Sequence, residues 1–150
     1  MLQKPFPDDE HYMRLALKGA EEAFAAGEIP VGAVVVCGGA VVARTRNQTQ
    51  QLNDVTAHAE MLAITAAANY LGGKYLSQCT LYVTLEPCPM CAGALFWAQV
   101  GRVVYGARDE KRGYSLVSDK LLHPKTRVTA GVLSEDCAAL LLAFFRKLRN

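Results

Sequence analysis

Two short stretches of this chain hold the side chains that could do chemistry: Thr56-Ala57-His58-Ala59-Glu60 and Leu85-Glu86-Pro87-Cys88-Pro89-Met90-Cys91. Two thiolates and an imidazole are three of the four tetrahedral donors that Zn²⁺ prefers, and a set of three protein ligands leaves the fourth position for water. Glu60, two residues from the histidine, can then act as the base that takes a proton from that water. Cys88 and Cys91 are three apart, so on a first helical turn they face the same way. A helix N-terminus also favours the thiolate, because unpaired N–H groups and aligned peptide dipoles stabilise an anion. His58 and Glu60 do not share a helical face, so both reach one site only if the metal sits beyond the helix end.

Competing readings of these residues are weaker. A closed structural zinc site needs a fourth Cys or His, and the spare thiols Cys37, Cys79 and Cys137 each lie in a strand or helix pattern of core type. A redox Cys-x-x-Cys would leave His-x-Glu without a purpose. His11 and His123 have no partners in sequence and read as surface residues, while Glu86 reads as an acceptor for backbone beside the cysteines. The chemistry that fits is hydrolysis at an amidine-like carbon. Glu60 takes a proton from water, passes it to a ring nitrogen and then protonates the departing ammonia.

The elements that must position these groups can be read from periodicity. Asp8 and Asp9 can cap a helix with Met13, Ala16, Leu17, Ala20 and Phe24 on its apolar face and Gly27 as its stop. Val31 to Cys37 and Ala40 to Arg44 form a hairpin, because Gly38-Gly39 accept the positive φ of a two-residue turn. A polar loop, Arg46 to Asp54, precedes a helix over Ala57 to Tyr70, with Thr56 or Asp54 as cap and Gly72-Gly73 as stop. Thr80 to Leu85 is a β-branched strand; Pro87 breaks it and starts a helix over Cys88 to Ala98. Arg102 to Tyr105 is another strand, a long loop runs from Ala107 to Thr126, and Arg127 to Thr129 is a small strand. Ser134 caps a last helix whose buried face is Cys137, Leu140, Leu141, Phe144 and Leu148.

This order predicts an α/β fold: a three-layer α/β/α sandwich on a mixed five-stranded sheet, antiparallel at its first two strands and parallel later. The helix at Cys88 to Ala98 is apolar nearly all round (Ala92, Ala94, Leu95, Phe96, Trp97), which places it in the core or against a second subunit, and a homodimer is expected. At 150 residues, 51% hydrophobic and 20% charged, the chain reads as one globular domain, 1–150. No apolar run is long enough to span a membrane, and the first ten residues carry three acids and no apolar signal core. Five cysteines, two in a metal-type pair, point to a reducing compartment, so the expected location is cytoplasmic. The net charge of +2 hides an asymmetry: residues 1–101 carry nine acids and six bases, residues 102–150 five acids and ten bases. A basic second half suits a phosphate backbone or is a plain solvated face.

His-x-Glu followed by Pro-Cys-x-x-Cys is the established signature of zinc deaminases acting on nucleobases. The match is wider than that motif. Glu28 to Val35, Asn47, Asp54 to Glu60, Thr80 to Ala94, Gly101 to Asp109 and Asp136 to Leu141 with Phe144-Phe145-Arg146 resemble the bacterial tRNA adenosine deaminases. The resemblance implies a cytidine-deaminase-like fold, a homodimer, one Zn²⁺ per subunit and no nucleotide cofactor. It also implies conversion of adenosine to inosine at the wobble position, with a tRNA anticodon stem-loop as partner. By position, His58, Cys88 and Cys91 would bind zinc and Glu60 would shuttle the proton. Asn47 would hydrogen-bond the flipped base, Val31 and Ala57 would line its pocket, and Arg108 and Asp109 would lie at the rim near ribose or flanking nucleotides. Phe145, off the core face of the last helix, would stack on an anticodon-loop base. Lys111, Arg112, Lys120, Lys125 and Arg127 suit phosphate contacts. Pro89-Met90 with Phe96-Trp97-Ala98 also resembles bacterial guanine deaminases, so a free base or nucleoside (guanine, cytosine or cytidine) is the alternative substrate. A zinc module that binds RNA without catalysis is the third reading, and the intact Glu60 speaks against it.

Overall fold

The computed structural model describes residues 2–150; Met1 lies outside them. In chain order the elements are α1 (Asp9–Ala25), β1 (Gly32–Cys37), β2 (Ala40–Arg46), α2 (Ala59–Leu71), β3 (Cys79–Leu85), α3 (Pro89–Ala98), β4 (Arg102–Ala107), β5 (Arg127–Ala130) and α4 (Ser134–Arg149). The strands form one sheet in the order β2-β1-β3-β4-β5. β1 pairs antiparallel with β2 and β3, whereas β3–β4 and β4–β5 are parallel, so the sheet is mixed and five-stranded as expected. Gly38 and Gly39, with φ of 59° and 78°, make the tight hairpin turn between β1 and β2.

Side chains alternate across each strand, and both faces of the central strands are apolar. One face packs Val34, Tyr82 and Val104 against Met13 and Ala16 of α1 and Cys137 of α4. The other packs Val35, Leu81 and Val103 against Ala63 of α2 and Leu95 of α3. These are the three layers of the sandwich. Their consequence for function is that α2 and α3 lie on the same face and pack against each other, which brings their N-termini together.

A buried ion pair ties α1 to the sheet. Arg102 donates from both terminal nitrogens to Asp9, at 2.8 and 2.7 Å, and the two residues are 1% and 0% exposed. The Tyr82 hydroxyl and the Phe6 amide donate to the same carboxylate at 2.8 and 2.7 Å, and Arg102 also reaches Gln3 and Thr129. Burial opposes the Asp9 charge, but Arg102, Phe6 and Tyr82 outweigh it and hold the carboxyl below its usual value. Ahead of α1, Leu2 bridges Val128 in parallel and the Gln3 amide donates to the Val128 carbonyl at 2.6 Å, so the N-terminal residues run beside β5.

Several helix boundaries differ from those expected, each for a local reason. Asp9 is no free cap but the buried acceptor just described. α2 begins at Ala59 rather than Ala57, because Asp54 folds onto the amide and hydroxyl of Thr56 and the first helical bond runs from Leu62 to the His58 carbonyl. α3 likewise starts after Cys88, whose carbonyl accepts from Ala92. Ser134 lies inside α4; the capping position is Leu133, in the left-handed region at φ 55°, because the chain turns sharply after Gly131. Leu148 is 66% exposed instead of buried, since the last turns of α4 face an open cleft rather than the sheet. The long loop holds two 3₁₀ turns, Tyr114–Leu116 and Asp119–Leu121.

Candidate metal centre and cleft

His58 and Cys88 occupy equivalent places, each the residue just before the first turn of a helix with an extended backbone (φ −70°, ψ 153° and φ −74°, ψ 167°). That shared geometry resolves the spacing problem of His58 and Glu60. The histidine stands off the end of α2, while Glu60 sits within its first turn. The His58 Nδ1 lies 3.7 Å from the Cys88 Sγ and 3.5 Å from the Cys91 Sγ. Ideal tetrahedral bonds of about 2.1 Å to nitrogen and about 2.3 Å to sulfur require an N···S separation of about 3.6 Å. Both N···S separations therefore already match those of a zinc tetrahedron. The three residues form the single such donor group among the described residues, all within 4.8 Å of one another.

The electrostatics point the same way. The Cys91 thiol, with His58 beside it, holds the Cys88 thiol down to about 4, against the effect of burial. The bond from Cys88 and burial push the Cys91 thiol far above its ordinary value. The Cys88 thiolate in turn raises His58. Two thiols thus share what only one can hold alone, and a dication would let both ionise at once. Glu60 is 4% exposed, and burial pushes its carboxyl up to about 7. Cys37, Cys79 and Cys137 are free and stand elsewhere, so no fourth protein donor closes the set among the described residues.

His58, Cys88 and Glu60 line a cleft of ≈ 1040 Å³, and Cys91 is buried beside them. Val31, Asn47, Arg108, Asp109 and Phe145 line the same cleft, brought there from four separate stretches of chain. Ala57 does not line it; its side chain is buried and its carbonyl accepts from the Gln48 amide at 3.0 Å. Asn47 is pinned, donating from Nδ2 to the Ile29 carbonyl at 3.2 Å and accepting at Oδ1 from the Thr49 amide at 3.3 Å. That leaves one amide hydrogen and one lone pair unused. Asp109 accepts at Oδ1 from the amides of Lys111 and Arg112, at 3.0 and 2.9 Å, and keeps its second oxygen free. Opposite, Leu141, Leu142, Phe145 and Leu148 of α4 make an apolar wall, which accounts for the exposure of Leu142 and Leu148.

Two buried carboxylates brace the rims of this cleft: Glu86, a backbone acceptor as expected, and Glu28, which the sequence did not single out. Glu28 accepts from the amides of Gln50 and Gln51 at 2.9 and 2.7 Å, fixing the turn after Asn47. Glu86 accepts from the Asp109 and Ser115 amides and the Ser115 hydroxyl at 3.2, 3.1 and 2.6 Å, fixing the opposite rim. The signal for both was a lone acid in an apolar run, which when buried must find backbone donors.

Residues 7–107 match the family model for the cytidine and deoxycytidylate deaminase zinc-binding region, a span that contains His58, Glu60, Cys88 and Cys91. The chain belongs to the cytidine and deoxycytidylate deaminase family. Among relatives within this deaminase family, the tRNA-specific adenosine deaminase of Bacillus subtilis (strain 168) is 47% identical over 147 residues, 95% of this chain and 91% of the relative. A structure from studies of A-to-I editing by tRNA:A34 deaminases superposes with a TM-score of 0.82 at 42% identity, covering 87% of this chain and 99% of that one. The guanine deaminase of Nitrosomonas europaea superposes with a TM-score of 0.78 at 27% identity, covering 96% and 86%. The deaminase fold expected from the sequence is the one observed.

Proposed function

We propose that this chain is a zinc-dependent hydrolase that converts adenosine to inosine at the wobble position of a tRNA anticodon. Residues 1–150 would act as one deaminase domain. The observation that carries this reading is the donor trio with a buried carboxylate on the floor of a large cleft, walled by an aromatic and apolar helix and rimmed by cations. A cleft of ≈ 1040 Å³ has room for an extruded nucleotide and its neighbours, whereas a free base would leave most of it empty. The relatives named for tRNA adenosine support the same substrate.

His58, Cys88 and Cys91 would hold the metal, which when bound supplies a Lewis acid that brings a water pKa down to about 7. Glu60 takes a proton from water at its carboxylate and delivers it to N1 of adenine. As the water oxygen bonds to C6, Glu60 takes that oxygen's remaining proton and passes it to the exocyclic amine, the C6–N bond breaks, and adenosine and water become inosine and ammonia. Its raised proton affinity matches a group that must both accept and release a proton near neutrality. Asn47 offers its unused donor and acceptor to the base edge, and Val31 packs beside it. Arg108 and Asp109 face ribose and the flanking nucleotides, and Phe145 stacks on a neighbouring base.

A second copy would cover the exposed aromatic and apolar residues Val55, Tyr70, Tyr75 and Trp97, which are 84%, 71%, 56% and 77% exposed, giving a homodimer. No helix among the described residues is long and apolar enough to cross a membrane. A site built on thiolates needs a reducing compartment, and we place the protein in the cytoplasm. The likeness to guanine deaminase favours deamination of a free base as the second reading. The zinc-loaded protein is to be given an anticodon stem-loop with adenosine at the wobble position, and in parallel free guanine, cytosine and cytidine. Inosine in the RNA, with rates that fall steeply as salt rises, is the expected result. Ammonia from a free base without inosine in RNA would replace this reading with the second, and RNA binding without turnover would leave only a zinc module.

A further inference from the structure

We propose that Glu86 is a positioning residue for RNA binding: it holds the cationic rim Arg108 to Arg112 beside the cleft through the amides of Asp109 and Ser115. The proposal rests on the tRNA reading above. Glu86 is 1% exposed, and none of the ion pairs formed among the described residues includes it. A buried carboxylate without a cation is costly unless N–H and O–H donors compensate it fully. Here the donors all come from one loop: the Asp109 amide on Oε1, and the Ser115 amide and hydroxyl on Oε2. The loop is shaped to receive the charge. A methyl group at Gly113 would overlap the Glu86 carboxylate, and the Tyr114 amide donates to the Pro87 carbonyl at 2.9 Å. Asp109, held at its amide, uses its own carboxylate to fix the amides of Lys111 and Arg112. A chain of hydrogen bonds thus runs from the protein interior to Lys111 and Arg112. Their side chains and that of Arg108 are exposed, line the cleft and form no ion pair among the described residues. Cations free of internal partners on a fixed backbone are pre-organised for phosphates that flank the target nucleotide.

Glu86→Gln keeps the shape but presents an NH₂ group to an N–H donor, so one edge of the contact must open. The test compares wild type, Glu86→Gln, the Lys111→Ala/Arg112→Ala pair and the triple variant on the anticodon stem-loop over a range of salt, with bound zinc measured for each. Glu86→Gln is expected to raise KM about ten-fold at low salt while kcat stays within about two-fold. Bound zinc stays unchanged, and the dependence of KM on salt becomes shallower. The triple variant should be no worse than the pair, because Glu86 acts through those cations. Gly113→Ala, which intrudes on the same contact from the loop side, should reproduce the KM effect and serves if Glu86→Gln does not fold. Parallel loss of zinc and kcat would make Glu86 a support of the cysteine turn and overturn the proposal. So would an unchanged KM, or a full additive penalty in the triple variant. Wild type that makes no inosine would remove the tRNA reading and this proposal with it, whereas active wild type with an unaffected Glu86→Gln would overturn this proposal alone.

Discussion

Removing the Asp9 carboxylate should cost this protein a large part of its stability without touching its chemistry. Asp9→Ala deletes an acceptor that takes four hydrogen bonds, from both terminal nitrogens of Arg102, the Tyr82 hydroxyl and the Phe6 amide. It also strands a guanidinium that is 1% exposed. Breaking a buried pair from one side costs about 3–5 kcal/mol, because the surviving charge is left uncompensated. For a chain of this size that corresponds to a fall in Tm of about 10 °C or more. Replacing both partners, as Asp9→Ala with Arg102→Met, should recover much of the loss, since no charge remains buried. The same pair sets a pH dependence. The folded Asp9 carboxyl titrates below its unfolded value of about 3.9, so its stabilisation is complete above that value and is lost as pH falls through the folded one. Urea unfolding of the zinc-loaded protein, followed by circular dichroism between pH 7 and pH 3, measures each of these. A single variant within about 1 kcal/mol of wild type, or a double variant worse than the single, would refute the account.

Glu60→Gln should keep one zinc per chain by elemental analysis, yet lose about 10³-fold or more in kcat, because the amide cannot carry a proton between water and base. Cys88→Ser should lose the metal and melt earlier than wild type, and chelation of the wild type should lower its Tm in the same direction, since the site's binding energy is also folding energy. Phe145→Ala should raise KM for the stem-loop about ten-fold with little change in kcat, the expected worth of one stacked base. Unaltered KM in that variant would mean that no base rests on α4.

The sequence was most legible where chemistry demanded particular residues at particular spacing. His58, Cys88, Cys91 and Glu60 stand together as read, because few other reasons put those types in that pattern. The sheet was legible too, because apolar, β-branched β1 and β3 and the paired glycines at 38 and 39 leave little choice of structure. Helix starts were less so. Asp54 and Thr56 have good capping side chains, but they bond each other, and the cap falls to His58, whose type gives no such signal. Leu148 fits the apolar stripe of α4 by periodicity, which cannot tell a face against the sheet from a face toward a cleft. Glu28 escaped because its role is defined by backbone amides more than twenty residues away, which carry no side-chain signature, and Glu86, legible as a backbone acceptor, gave no sign that its donors are Asp109 and Ser115.

The strip of chain beside β5 bears on how two copies could meet. At that margin of the sheet, Leu2 and Gln3 already occupy bonds that a foreign strand would need. At the other margin, β2 carries Arg44 and Arg46, and like charges brought face to face would repel. Both borders disfavour ribbon-to-ribbon growth, so the homodimer proposed above would join through helices and loops, each copy keeping its own separate sheet.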